Sequence, residues 1–168
     1  MRQVAAAESG EAGILVNMGD SITVSMAYFA PLQAIDRATA PPEVVTAAAT
    51  LDAFVKPECY RWKGSDHGSD GGKTADWALQ HLDRWIETLR PQLAVVMFGT
   101  NDIRHETLEQ HSRNLRRLVE RCLQRGVVVI LTTIPPMDGH DDKVAQAVAT
   151  QRQIAADLNV PLIDCTPT

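Results

Sequence analysis

The stretch Ile14-Leu15-Val16-Asn17-Met18, followed at once by Gly19-Asp20-Ser21-Ile22-Thr23, joins an apolar run to a polar turn. A short apolar run that stops at a glycine is typical of a buried strand. Open α/β folds place their chemistry at the carboxyl ends of such strands, so the turn makes Ser21 a candidate nucleophile. The same residues also fit an ordinary loop in which Asp20 or Ser21 caps the next helix.

A second apolar run ends in the same way further along the chain. Residues Leu93–Phe98 predict a buried strand, and this strand stops at the turn Gly99-Thr100-Asn101-Asp102. Between the two turns, Gly68–Thr74 forms a glycine-rich bend before a helix, where free backbone N–H groups can face a developing negative charge. Since parallel strands end at one sheet edge, we expect a serine, a glycine amide and an asparagine amide to converge.

Helical and strand patterns alternate through the rest of the chain. Apolar residues recur at helical spacing within residues 74–89, 108–122 and 144–158. Two more apolar runs, Val127–Ile134 and Val160–Asp164, predict strands. Alternation with short links favours right-handed βαβ units, hence a three-layer α/β/α domain with a parallel sheet. The stretch Ala38–Lys56 supports no prediction.

With these residues the chain resembles the SGNH hydrolases, also called the GDSL esterase and lipase family. The family is named after four site residues, and three have matches here: Ser21, Gly72 and Asn101. The resemblance spans residues 14–164 and implies a flavodoxin-like strand order. It also implies that the serine attacks an ester carbonyl, while the serine N–H, the glycine N–H and the asparagine side chain form the oxyanion hole. Gly71 is an alternative to Gly72.

The fourth family residue is a histidine in an Asp-x-x-His motif after the last strand. No such motif follows Asn101, and the chain stops at Thr168. We therefore expect a truncated enzyme that lacks the general-base histidine and the closing helix.

The histidines that are present do not fit the family position of the base. They are His67, His81, His105, His111 and His140. His81 and His111 fall inside helical patterns and are expected to be ordinary helix residues, while His67 and His105 adjoin the glycine and asparagine loops. His140 follows the third strand on the serine's side of the sheet, and we interpret it as a loop or substrate-contact residue.

Composition predicts a single domain over residues 1–168. The chain has 168 residues, 45% of them hydrophobic, and no linker-like segment divides it. A net charge of −5 without a basic stripe disfavours nucleic acid as a partner, and the longest apolar runs are too short to span a membrane. Three widely spaced cysteines favour buried free thiols over disulfides or a zinc site, and no cofactor is expected.

Three functions are compatible with these patterns. The first is a serine esterase acting on a small carboxylic ester, such as an acetylated carbohydrate or a short acyl ester. The second is a non-catalytic binding domain of the same fold. A nucleotide or phosphate binder is disfavoured because neither glycine-rich nucleotide motif is present. If a closing helix is missing, we expect an apolar patch on the sheet face that it leaves, either exposed or covered by a second copy of the chain in a homo-oligomer.

Overall fold

A computed structural model describes residues 10–25 and 29–166. In these residues, four parallel strands form one sheet in chain order: β1 Glu11–Gly19, β2 Pro91–Met97, β3 Val128–Thr132 and β4 Leu162–Ile163. All four predicted strands are present. The register pairs Gly19 with Met97, so the serine turn and the asparagine turn leave the sheet side by side.

The outer edge of β1 carries one further parallel bridge, between Gly19 and Ser69. The Gly19 N–H donates to the Gly68 carbonyl at 3.1 Å, and the Asp70 N–H donates to the Gly19 carbonyl at 3.2 Å. In a flavodoxin-like sheet, the second strand of the chain pairs with the outer edge of the first. Here the single bridge lies at that edge. It also brings the glycine bend to the same sheet edge as Ser21.

Within the described ranges, six α-helices lie between and beside the strands: α1 Ser21–Val24, α2 Pro42–Phe54, α3 Ala75–Leu89, α4 Asp102–His105, α5 Leu108–Gln124 and α6 Asp141–Leu158. Three of them, α3, α5 and α6, are the helices that the apolar spacing predicts. Helix α2 falls in the stretch without a prediction. Its only buried residue is Ala48, so its sequence carries almost no amphipathic signal.

The main core lies between one face of the sheet and the helices α3, α5 and α6. Trp85 is fully buried there, and its Nε1–H donates to the Ser65 carbonyl at 2.7 Å. A second, smaller cluster lies beside β1, where Cys59 from the segment Pro57–Arg61 packs against Ile14 and Leu15. Helices on both sides of a parallel sheet make this an α/β fold. None of the helices in the described ranges has the length and apolar content needed to cross a membrane.

Two large apolar side chains are exposed on β3 and β4. Val128 is 54% and Ile163 47% accessible. Thr132 pairs with Ile163, and residues 128 and 132 of β3 share one face, so both exposed side chains lie on the same side of the sheet. The homo-oligomer expected from the sequence stays a prediction, and this patch is where we expect the contact.

We predict that the chain self-associates through this patch. Val128→Asp should shift the mass measured by light scattering toward the monomer, because an aspartate would be buried without a partner. Phe54→Asp is the matched control, since Phe54 is 75% exposed at the end of α2. A monomeric wild-type chain would contradict the prediction.

The cysteines differ from the sequence-based expectation at one position. Cys59 and Cys122 are buried free thiols, as expected, whereas Cys165 is exposed. Cys165 follows the short strand β4, which is the last strand in the order of the described sheet. Burial raises the pKa of the Cys122 thiol to about 12, which keeps it protonated.

We expect a thiol reagent such as Ellman's reagent to modify Cys165 within minutes in the folded protein. Cys59 and Cys122 should react only after unfolding, because each is buried. Peptide mapping after a short exposure distinguishes the three sites. Equal labelling of Cys122 in the native protein would contradict its burial.

Candidate active site

The serine turn is held by Asp20, which is almost fully buried. Its Oδ1 accepts the Ile22 N–H at 3.0 Å and caps the short helix α1. Ser21 follows as the first helical residue and is exposed. Among the described residues, neither its Oγ nor its backbone N–H has a hydrogen-bond partner. Both groups are thus free to meet a ligand.

Asn101 connects the serine turn to the glycine bend. Its Nδ2 donates to Asp20 Oδ2 at 3.1 Å and to the Lys73 carbonyl at 3.2 Å. Asp20 precedes Ser21, and Lys73 follows Gly72. The side-chain amide therefore bridges the two segments that carry the other predicted site residues, and it is 6% exposed.

The glycine bend distinguishes Gly72 from its neighbour Gly71. Gly72 has a φ of +72°, which favours glycine, and its N–H has no hydrogen-bond partner among the described residues. The Gly71 N–H instead donates to Asp70 Oδ1 at 2.8 Å. Of the two, only Gly72 has a backbone donor that is free among the described residues, and its place in the oxyanion hole stays a prediction.

The asparagine turn requires Gly99 because other side chains fill the space beside it. A Cβ atom there would lie 2.8 Å from Ile134 Cγ2, 3.1 Å from Gln151 Nε2 and 3.3 Å from His111 Cε1. The buried Gln151 donates to the Phe98 carbonyl at 2.8 Å and accepts the Ile134 N–H at 3.1 Å. Helix α6 thereby fixes the segments that follow both β2 and β3.

Asp102 and His111 form a buried pair next to this turn. Asp102 Oδ1 accepts the Ala75 N–H at 2.9 Å and lies 3.2 Å from His111 Nδ1, and both side chains are fully buried. The sequence-based interpretation of His111 as an ordinary helix residue missed this contact. One signal was available: His111 shares the buried face of α5 with Leu115 and Leu118.

Two buried carboxyl groups, Asp20 and Asp102, and the half-buried Glu106 lie around the turn. Burial raises the pKa of Asp20, and the negative charge of Asp102 raises it further, while the Ile22 N–H opposes the shift. Burial likewise raises the pKa of Glu106, again with a contribution from Asp102. Glu106 Oε2 accepts from Asn114 Nδ2 at 3.3 Å. The ionised forms of Asp20 and Glu106 are therefore less favourable in this region than in water.

No histidine of the chain is hydrogen-bonded to Ser21 within the described ranges. The Nδ1 atoms of His67 and His81 lie at hydrogen-bond distance from backbone carbonyls, His105 is exposed at the end of α4, and His140 precedes α6. The same ranges contain no group of three or more His, Cys, Asp or Glu side chains placed to hold a metal ion.

The sequence of this chain matches a known family over most of its length. The model of the GDSL-like lipase/acylhydrolase family matches residues 18–168. The chain belongs to this family. The matched range includes the Gly-Asp-Ser turn, the glycine bend and the asparagine turn. None of the curated proteins is similar enough to this GDSL family member to count as a match.

Solved structures of esterases and lipases share the fold of this GDSL family member. The acetyl xylan esterase AlAXEase is 18% identical with a TM-score of 0.69, and the alignment covers 90% of this chain and 77% of that one. A lipase/acylhydrolase from Enterococcus faecalis is 23% identical, with a TM-score of 0.65 and coverage of 90% and 75%. The psychrotrophic esterase EstA from Pseudoalteromonas is 19% identical, with a TM-score of 0.61 and coverage of 90% and 76%.

We predict that Glu106→Gln stabilises the protein, and more at pH 7 than at pH 4. The folded-state pKa of Glu106 is raised, so the wild type loses stability as pH rises from about 4 through that pKa, whereas glutamine does not titrate. Urea unfolding at several pH values measures the difference in free energy of unfolding. Glu109→Gln, exposed in the first turn of α5, is the control. A difference that stays constant with pH would contradict the prediction.

Proposed function

We propose that this GDSL family member is a serine hydrolase of small carboxylic esters. Ser21 is the nucleophile, and the oxyanion donors are the Ser21 N–H, the Gly72 N–H and the Asn101 side-chain amide. The observation that carries the proposal is the position of Asn101 Nδ2, bonded both to Asp20 and to the Lys73 carbonyl. These two bonds link the asparagine turn to the serine turn and to the glycine bend, at the end of β1 where Ser21 is exposed.

In the proposed reaction, Ser21 Oγ attacks the carbonyl carbon of the ester. The bond from that carbon to the alcohol oxygen breaks, which leaves an acyl-serine and, with the serine proton, releases the alcohol. Water then hydrolyses the acyl-serine to the acid and regenerates Ser21. The carbonyl oxygen carries negative charge in each tetrahedral intermediate, and the three N–H donors stabilise that charge.

The Asn101 amide has both of its hydrogens engaged before substrate binds. One donates to Asp20 Oδ2 and the other to the Lys73 carbonyl. To bind an oxyanion, the amide must share or release one of these bonds, and the neutral Lys73 carbonyl is the weaker acceptor of the two. We therefore propose that the Lys73 bond is exchanged for the oxyanion, while the Asp20 bond keeps the amide oriented.

The substrate class that we propose is an acetyl or short acyl ester, including esters of carbohydrates. The exposed position of Ser21 suits an ester carried on a larger alcohol. One of the structurally similar proteins is an acetyl xylan esterase, and another is a psychrotrophic esterase, which supports the same class.

We propose that none of the five histidines supplies the general base. Ser21 has no histidine partner in the described ranges, and a serine hydroxyl without an adjacent base is a weak nucleophile. In the proposal, the base belongs to an Asp-x-x-His segment beyond Thr168.

We expect residues 1–168 to hydrolyse p-nitrophenyl acetate only weakly. Extending the chain with a segment that carries Asp-x-x-His should raise the rate by about a thousandfold, because loss of one triad member usually costs that much or more. Ser21→Ala in the extended chain should remove the gain, and Asn101→Ala should lower kcat by about a hundredfold, as for other oxyanion donors.

Ser25→Ala is the matched control, since Ser25 is exposed four residues further along the same segment. It should leave the rate unchanged. Strong turnover by residues 1–168 that disappears with His140→Ala would make His140 the base. Turnover that survives Ser21→Ala would overturn the nucleophile assignment.

The absence of a histidine partner for Ser21 within the described ranges also favours a second candidate, an ester-binding domain without catalysis. Calorimetry with a short acyl ester separates the two. Binding by the extended chain without hydrolysis would support the binding domain.

A further inference from the structure

The buried face of α5 is apolar except at one position. Leu115, Leu118, Val119 and Cys122 pack into the main core, whereas His111 is a fully buried imidazole on the same face. A buried polar side chain costs free energy unless it is paired, so an aliphatic residue at 111 would serve packing better. The position of the imidazole therefore calls for a specific reason.

The contacts of His111 point to the asparagine turn. Its Cε1 atom lies over Gly99, and its Nδ1 lies 3.2 Å from Asp102 Oδ1. Neither ring nitrogen meets full hydrogen-bond geometry with a described residue, and Asp102 Oδ2 has no partner there either. The contact is therefore a close approach of the Asp102 carboxyl group to the His111 imidazole, and both side chains are fully buried.

Asp102 in turn holds the glycine bend. Its Oδ1 accepts the N–H of Ala75, the first residue of α3, at 2.9 Å. Two residues earlier, the Lys73 carbonyl accepts from Asn101. Asn101 and Asp102 thus hydrogen-bond to Lys73, near the end of the bend, and to Ala75, just after it. Gly72 lies directly before Lys73.

We propose that His111 is a positioning residue for the oxyanion hole. In this proposal, His111 holds the Asp102 side chain in place, and Asp102 in turn accepts the Ala75 N–H. The Gly72 N–H and the Asn101 amide thereby keep their positions relative to each other. This inference rests on the proposed esterase function for its catalytic consequence, and on the contacts above for its structural part.

The charges around Asp102 explain why a partner is needed. Asp20 faces it from the serine turn and Glu106 from the end of α4, and the pKa of each is raised by burial and by the charge of Asp102. Asp102 itself is fully buried and accepts the Ala75 N–H through Oδ1. A proton donor on its other side, supplied by His111 from α5, offsets the repulsion by the two carboxyl groups.

The experiment compares His111→Leu, which removes the donor, with His111→Asn, whose amide replaces Nδ1–H. The structural readout is hydrogen exchange at the Ala75 amide relative to the Leu82 amide in the same helix. The functional readouts, all in the extended chain, are the rate at which a fluorophosphonate labels Ser21, and kcat and KM for p-nitrophenyl acetate. Leu115→Ala, a fully buried change on the same face of α5, is the control.

We expect His111→Leu to raise the relative exchange of Ala75 by about tenfold and to lower kcat and the labelling rate by about tenfold, with KM nearly unchanged. His111→Asn should stay within about threefold of the wild type in all readouts. Leu115→Ala should lower the melting temperature without changing the ratio of Ala75 to Leu82 exchange.

If His111→Leu behaves like Leu115→Ala, or if His111→Asn is as impaired as His111→Leu, His111 only fills space and the proposal is wrong. If His111→Leu does not fold, Asp102→Asn takes its place, with the same expected gain in Ala75 exchange and loss of kcat. A wild-type protein with neither Ser21 labelling nor turnover in the extended chain would instead refute the esterase function, and Ala75 exchange would still test the positioning contact.

Discussion

The hydrogen bonds of Asn101 and Asp102 to the serine turn and the glycine bend are the contacts on which the candidate site depends. Asn101 Nδ2 reaches Asp20 and the Lys73 carbonyl, and Asp102 Oδ1 reaches the Ala75 N–H. The bonds from Asn101 to Asp20 and from Ala75 to Asp102 are buried, whereas those from Asn101 to Lys73 and from Ile22 to Asp20 are half-buried, so solvent competes least with the first two. Three loops from separate parts of the chain are thereby held at one edge of the sheet.

This arrangement concentrates unpaired polar atoms at the site. Buried side-chain atoms without a hydrogen-bond partner among the described residues belong to Asn17, Thr23, Ser69, Thr100, Asp102 and His111. These residues lie at the ends of β1 and β2, in the turns that follow them, or against those turns. A buried polar group without a hydrogen-bond partner is unfavourable, so such groups are uncommon away from functional sites.

Family membership and function rest on different observations here. The match over residues 18–168 shows the GDSL-like lipase/acylhydrolase family, and structures at 18% to 23% identity share the fold. Function depends on the site, because one fold can host several activities. The free donors of Ser21 and Gly72 and the bridging amide of Asn101 support the proposed ester hydrolysis, and no histidine in the described part of the chain is hydrogen-bonded to Ser21.

Local pattern alone predicted the four strands, the helices α3, α5 and α6, and the serine and asparagine turns at one sheet edge, because burial leaves a periodic trace in the sequence. Helix α2 left no such trace, since Ala48 is its only buried residue. Tertiary structure decided the rest: the single Gly19–Ser69 bridge, the pairing of His111 with Asp102 and the exposure of Cys165. Each depends on which distant segments meet or stay uncovered, and periodicity within one segment does not record that.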